Sequence, residues 1–206
     1  VLGGAKISGK IDVIAHLQDK VDHILIGGGM AYTFFKAMGY AIGTSLLEED
    51  RIDMARDLLG KGGRKIILPV DNVITDHIDI KQGTIGNLQT TSVDAIPEGW
   101  CGVDIGPQTL QQFEEILRTA RTVVWNGPMG IFELAASAGG TFALAKLMAD
   151  ITEGGATTVI GGGDSARAVG EAGVADRVSH VSTGGGASLE MLEGRVLPGV
   201  AALTDK

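Results

Sequence analysis

Five short β-branched runs in this chain end in turns built from glycine, proline or aspartate, and this alternation limits the folds open to it. They are HILIGGG (His23–Gly29), KIILPVD (Lys65–Asp71), TVVWNGPMG (Thr122–Gly130), TTVIGGGDS (Thr157–Ser165) and HVSTGGGAS (His180–Ser188), with VLGGAK (Val1–Lys6) a truncated sixth. Apolar triplets such as Ile24-Leu25-Ile26, Ile66-Ile67-Leu68 and Val123-Val124-Trp125 do not alternate with polar residues. Strands that read this way are buried on both faces, as in a parallel sheet covered by helices. The segments between them carry helical spacing, over roughly 9–20, 30–38, 48–60, 109–118, 140–151, 165–172 and 187–192. Strand, tight turn and helix in repetition predict an α/β fold: a doubly wound, mostly parallel, Rossmann-like open sheet flanked by helices.

Between about residues 70 and 106 the rhythm changes. Asn72–Ile80 and Ile85–Val93 read as shorter, more polar strands joined at Lys81-Gln82-Gly83, a small β excursion on the same domain. Acidic Glu48-Glu49-Asp50 favours a helix start, and Gly60, Gly62 and Gly63 are expected to stop that helix. Residues 1–206 form one domain, with no linker-like tract and no repeat of fixed period. Val1-Leu2 is shorter than a central strand of about 5–6 residues, so the chain is expected to be a piece of a longer protein.

Glycine is abundant, 32 residues of 206, against a usual share of about 7%. It sits at strand ends rather than in a tract. The net charge of −8 and the scattered lysines and arginines exclude a nucleic-acid or anionic-membrane surface. No apolar run approaches the ~18 residues of a membrane span. The lone Cys101 forms no internal disulfide and suits a reducing, cytoplasmic setting.

Glycine corners followed by helix N-termini place backbone N–H groups around phosphate oxygens. One triplet alone is a turn; the series points to a phosphate-binding crevice. Three chemistries compete. Gly4 to Lys10 fits G-x-x-x-x-G-K, but Ile11 stands where a P-loop needs a hydroxyl for Mg²⁺. Gly161 to Ala166 fits the dinucleotide pattern G-x-G-x-x-A, yet it lies late in the chain and carries Asp164 inside the turn. The third uses the loops together, with Asp164 on Mg²⁺ and Lys6 and Lys10 on phosphoryl oxygens.

The motifs VLGGAKISGKI (Val1–Ile11), LIGGGMAYTFFKAMGY (Leu25–Tyr40), VWNGPMGIFE (Val124–Glu133), VIGGGDSARAV (Val159–Val169) and VSHVSTGGGASLEMLEG (Val178–Gly194) run in order along the chain. In them it closely resembles the nucleotide-binding, C-terminal domain of the phosphoglycerate kinase family. The resemblance implies glycolytic phosphoryl transfer between 1,3-bisphosphoglycerate and Mg·ADP, giving 3-phosphoglycerate and ATP. It implies that Lys6 binds nucleotide phosphate and that Lys10, four residues on and on the same side of a starting helix, reaches the transferring group. Gly27, Gly28 and Gly102 would line an adenine slot. Glu133, with the backbone from Gly127 to Met129, would hold the ribose. Gly162, Gly163 and Ser165 would present a helix N-terminus to the phosphates, and Asp164 would take the Mg²⁺. Gly184, Gly185 and Gly186 would head a second helix facing the migrating group, making Lys10, Gly162 and Gly185 the catalytic set.

Gly9 departs from the family, which often has a polar or acidic side chain there. The resemblance also implies a separate N-terminal domain that binds 3-phosphoglycerate through an Arg/His patch. His16, His23, His77 and His180 supply none. The chain alone is therefore expected to bind ATP or ADP with Mg²⁺ without appreciable turnover, and the full-length enzyme is expected to be monomeric. Trp125 reads as core, Tyr32, Phe34 and Phe35 as core and crevice wall, and His180 as a structural residue.

Overall fold

The computed structural model describes residues 1–203. Along the chain come α1 (Ile11–Leu17), β1 (Ile24–Leu25), α2 (Ala31–Ala37), β2 (Ala41–Ile42), α3 (Ile52–Gly62) and β3 (Ile66–Ile67). A β-rich stretch follows: β4 (Asp71–Thr75), β5 (Ile78–Asp79), β6 (Thr84–Ile85), β7 (Leu88–Ser92), β8 (Ala95–Ile96) and β9 (Cys101–Ile105). Then come α4 (Pro107–Leu117), β10 (Thr122–Asn126), α5 (Gly139–Glu153), β11 (Thr157–Gly161), α6 (Gly163–Glu171), β12 (His180–Ser182), α7 (Gly185–Leu192) and α8 (Pro198–Ala201).

The main sheet is parallel and runs β3, β1, Leu2, β10, β11, β12. Leu2 joins its two halves: its N–H donates to Leu25 at 2.8 Å, its carbonyl accepts from Gly27 at 2.9 Å, and Gly3 N–H donates to Asn126 at 2.9 Å. In chain order this is the 3-2-1-4-5-6 arrangement of a doubly wound fold, whose winding reverses between Leu2 and β10. The apolar triplets behave as two-sided strands. Ile24 and Ile26 enter a core with Ile14, Phe34 and Phe35 from α1 and α2. Leu25, between them, enters the opposite core with Phe113, Leu144 and Trp125. The helices α1, α2 and α3 cover one face and α4, α5 and α6 the other.

The β excursion is confirmed, with a different interior. β4 pairs antiparallel with both β7 and β9, and β9 was not foreseen from the sequence. The two expected long strands are each broken. Asp76 accepts hydrogen bonds from the Asn87 backbone and side chain, both at 2.8 Å, and the chain beyond it forms a separate hairpin pairing Ile78 with Ile85. Of the three glycines expected to stop α3, Gly60 and Gly62 lie within it and Gly63 ends it, with a φ of +52° that suits glycine.

Two buried carboxylates fasten this excursion to the helices that follow it, α4 and α5. Asp71 on β4 accepts from the first turn of α4, and Asp104 on β9 accepts from Gly140 in α5 at 2.5 Å and from Ile105 at 2.9 Å. Burial pushes the Asp104 carboxyl up to about 7, against the pull of those two N–H donors. Its folded value lies above the unfolded one, so between about pH 4 and 7 the native state holds more protons. Asp104 therefore makes stability fall as pH rises through that window. Urea unfolding at pH 5 and pH 8 should show this decline, and Asp104→Asn should remove that component; an equal decline in the variant would refute it.

Candidate functional site

The corners following Leu2, β1, β10 and β11 lie along the carboxyl edge of the sheet, at the point where the winding reverses. Such crevices bind ligands in doubly wound folds. A cavity of about 170 Å³ opens there, bordered by Gly4, Lys6, Lys10, Asn126, Gly127, Gly162, Gly163, Asp164 and Ser165. A larger groove of about 790 Å³ lies at the other end of the strands, against Ile24, Leu25, Val123 and Val124. That groove mixes apolar side chains with Lys20, Asp22, His23 and Arg121, whereas the smaller one gathers two lysines, a carboxylate and the N-terminus of α6 at the glycine corners.

Gly127 and Gly162 both have φ of +95°, a conformation that side chains resist. A Cβ on Gly127 would also stand 2.4 Å from the Gly3 carbonyl oxygen, so the two loops meet there backbone to backbone. Gly127 is pinned twice more: its N–H donates to Ser165 Oγ and its carbonyl accepts from Trp125 Nε1, each at 2.7 Å. Trp125 is fully buried, as expected of a core residue. The Ser165 hydroxyl is thus engaged within the protein, welding the β10 loop to α6. Gly162 precedes α6, and no side chain caps that helix, which leaves first-turn N–H groups to face the cleft.

The lysines differ in setting. Lys6 is exposed at the mouth. Lys10 is only 8% exposed and donates from Nζ to Asn126 Oδ1. Desolvation lowers its pKa to about 8, with Asp164 pulling the other way. The expectation that both lysines share one helical side is corrected here. α1 begins at Ile11, and Lys10 precedes it with non-helical backbone (φ −129°, ψ −5°), so the two are joined by a loop. Glu48 braces that loop, its Oε2 accepting from Ser8 N–H at 3.1 Å. Burial works against the Glu48 charge, but hydrogen bonds from Ser8 and Ile7 and the charge of Lys6 outweigh it and hold the carboxyl below its usual range.

Asn126 is a polar residue of the cleft that sequence reasoning passed over. It ends β10, receives the Lys10 ammonium, and its buried Nδ2 has no partner. The signal was available: an asparagine directly before a glycine turn, at the end of the apolar run Val123-Val124-Trp125.

The remaining candidates do not border this cavity. Gly27 and Gly28 sit where a Cβ would meet the Met129 sulfur at 2.5 Å and the Gly4 backbone at 2.6 Å; at Gly102 it would meet the Tyr32 hydroxyl oxygen. Tyr32, Phe34 and Phe35 are buried. Met129 is 1% exposed, and its N–H donates to Thr141 Oγ1 at 3.1 Å. Glu133 is exposed in the turn after buried Phe132. Gly184 precedes α7, which Gly185 and Gly186 open. His180 is exposed on β12, and Cys101 is a half-buried thiol whose pKa burial raises.

Asp164 is exposed at the start of α6. Among the described residues no group of three or more His, Cys, Asp or Glu side chains could hold a metal. One carboxylate beside two lysines and a helix N-terminus would suit Mg²⁺ together with a bound phosphate, since that ion usually takes one or two protein carboxylates and completes its shell with phosphates and water. Among the described residues no helix is long and apolar enough to cross a membrane.

Comparison with known proteins agrees with this architecture. The family model for phosphoglycerate kinase matches residues 1–195. The chain is 55% identical over 208 residues to the phosphoglycerate kinase of Synechococcus elongatus, covering all of this chain and 51% of the relative. It is 53% identical to the chloroplastic phosphoglycerate kinase of Volvox carteri, again over all of this chain and 44% of the relative. The solved phosphoglycerate kinase from Coxiella burnetii superposes with a TM-score of 0.89 at 39% identity, covering 97% of this chain and 51% of the other. The chain spans about half the length of the curated relatives it matches. Sequence and fold together place it in the phosphoglycerate kinase family.

Proposed function

We propose that this chain is the nucleotide-binding, C-terminal half of a cytoplasmic, monomeric phosphoglycerate kinase, and that it binds Mg·ADP and Mg·ATP through the cleft at the winding reversal. The observation that carries the reading is the gathering of Lys6, Lys10, Asp164 and the open N-terminus of α6 around one cavity. In the reaction, the bond from phosphorus to the acyl oxygen of 1,3-bisphosphoglycerate breaks while a β-phosphate oxygen of ADP bonds to phosphorus. The carboxylate of 3-phosphoglycerate leaves. Nucleophile and leaving group are both anionic oxygens, so no general base is required. Catalysis reduces to alignment and compensation of charge on the transferring oxygens. Lys10, the N–H groups after Gly162 and the helix headed by Gly185 meet that charge, while Lys6 holds the nucleotide phosphates. Asp164 would hold Mg²⁺, which supplies further positive charge to the phosphate oxygens. Glu133 and the Gly127–Met129 backbone would position the ribose, and Gly27, Gly28 and Gly102 the base.

Calorimetric titration should show saturable, 1:1 binding of Mg·ADP by the 206-residue chain, and a coupled assay should show no appreciable turnover. Tighter binding of NADH than of Mg·ATP would replace this reading with the dinucleotide one. Mixing with a separately produced 3-phosphoglycerate-binding half should restore transfer. Binding that persists with no restoration would favour a stand-alone nucleotide module.

A further inference from the structure

Arg167 lies three residues beyond Asp164 on α6, so the two share a helix face. Its guanidinium carbon stands 4.6 Å from the centroid of the Phe132 ring, and its Nε donates to Glu171 Oε1 at 2.8 Å. The second contact stays on one helix; the first crosses to another element. Phe132 is 2% exposed, and its chain neighbour is Glu133. The hydrogen bond to Glu171 and the carboxylate charges of Glu171, Glu133 and Asp164 raise the pKa of a guanidinium that is cationic in any case.

We propose that Arg167 is a positioning residue of the nucleotide site: stacked on Phe132, it clamps the Phe132–Glu133 turn to α6 and so fixes the Glu133 carboxylate relative to Asp164. This rests on the reading of the cleft given above. A ligand that carries a ribose and a metal-bound phosphate must satisfy both carboxylates at once, and they reside on separate elements. A flat cation on an aromatic face gives that join a direction which an exposed ion pair alone lacks.

The test is a binding cycle on the 206-residue chain with Mg·ADP and with Mg·2′,3′-dideoxy-ADP, which lacks the hydroxyls Glu133 would hold. Arg167→Ala should weaken ADP about tenfold and the dideoxy nucleotide less than twofold, with a melting temperature within about 2 °C of the unaltered chain. Glu171→Gln, which keeps the stack, should leave both affinities within twofold. Arg167→Gln reads the same cycle should the alanine variant unfold. Unchanged ADP affinity in the arginine variants would overturn the inference alone. Equal losses for the two nucleotides would also overturn it, by showing that the charge acts on the phosphates instead. Failure of the unaltered chain to bind Mg·ADP would overturn the nucleotide reading itself, and this inference with it.

Discussion

Replacing Lys10 by methionine is expected to slow phosphoryl transfer by about 10²–10³, the usual cost of removing one preorganised group aimed at developing charge. The measurement uses the chain mixed with the 3-phosphoglycerate-binding half. Mg·ADP affinity should fall far less, since the charge is wanted most in the transition state. Methionine keeps most of the apolar stem, so the change isolates the ammonium. The pKa of about 8 adds a second signature. In the free protein Lys10 is charged below pH 8 and loses its proton above it. Mg·ADP affinity of the unaltered chain should therefore decline as pH rises past 8, and Lys10→Met should flatten that limb.

Stability should respond with the opposite sign. An unfolded lysine keeps its proton to about pH 10.4, so between pH 8 and that value the unfolded chain holds more protons and stability rises with pH. This rise should also vanish in the variant. Superimposable pH profiles in the two proteins would show that Lys10 is not the titrating group, and an unchanged transfer rate would remove it from the mechanism.

The sequence made the sheet legible because two-sided burial forces its strands to be apolar without alternation, as Leu25 between Ile24 and Ile26 illustrates. It did not make β9 legible. Cys101-Gly102-Val103-Asp104-Ile105 contains glycine and aspartate, both poor strand formers, for reasons that exist only in three dimensions. Gly102 leaves room for Tyr32, and Asp104 serves the start of α5. Within the site, Lys6, Asp164 and the corners at Gly127 and Gly162 could be read from their motifs. The burial of Lys10 could not, since spacing alone suggests a solvated helix face and the loop braced by Glu48 overrides it. Nor could the engagement of the Ser165 hydroxyl with Gly127, which joins residues 38 apart in sequence.

The same kind of long-range polar join predicts the largest loss of stability. Asp71 is 2% exposed, and its Oδ1 accepts from the Thr109 N–H at 2.8 Å and the Thr109 hydroxyl at 2.6 Å, while Oδ2 accepts from the Gln108 N–H at 3.0 Å. The hydroxyl in turn accepts from the backbone N–H groups of Val70 and Asp71 at 3.0 and 3.1 Å. Gly106 is required beside them, because a Cβ there would stand 2.2 Å from the Asp71 carboxyl carbon. Asp71→Ala deletes every acceptor at once and strands N–H groups at the start of α4, where each unsatisfied buried group costs about 1–3 kcal/mol. The expected loss is about 3–5 kcal/mol, a large part of a typical total of about 5–15 kcal/mol. For a chain of this size that lowers the melting temperature by roughly 10 °C. Thr109→Ala should cost less, and Thr109→Ser, which keeps the hydroxyl, should recover most of that loss. None of these residues borders the cleft, so Mg·ADP affinity at temperatures where the variants are folded should stay within twofold of the unaltered chain. A melting temperature for Asp71→Ala within about 2 °C of the original would mean that α4 does not depend on this carboxylate for its first turn.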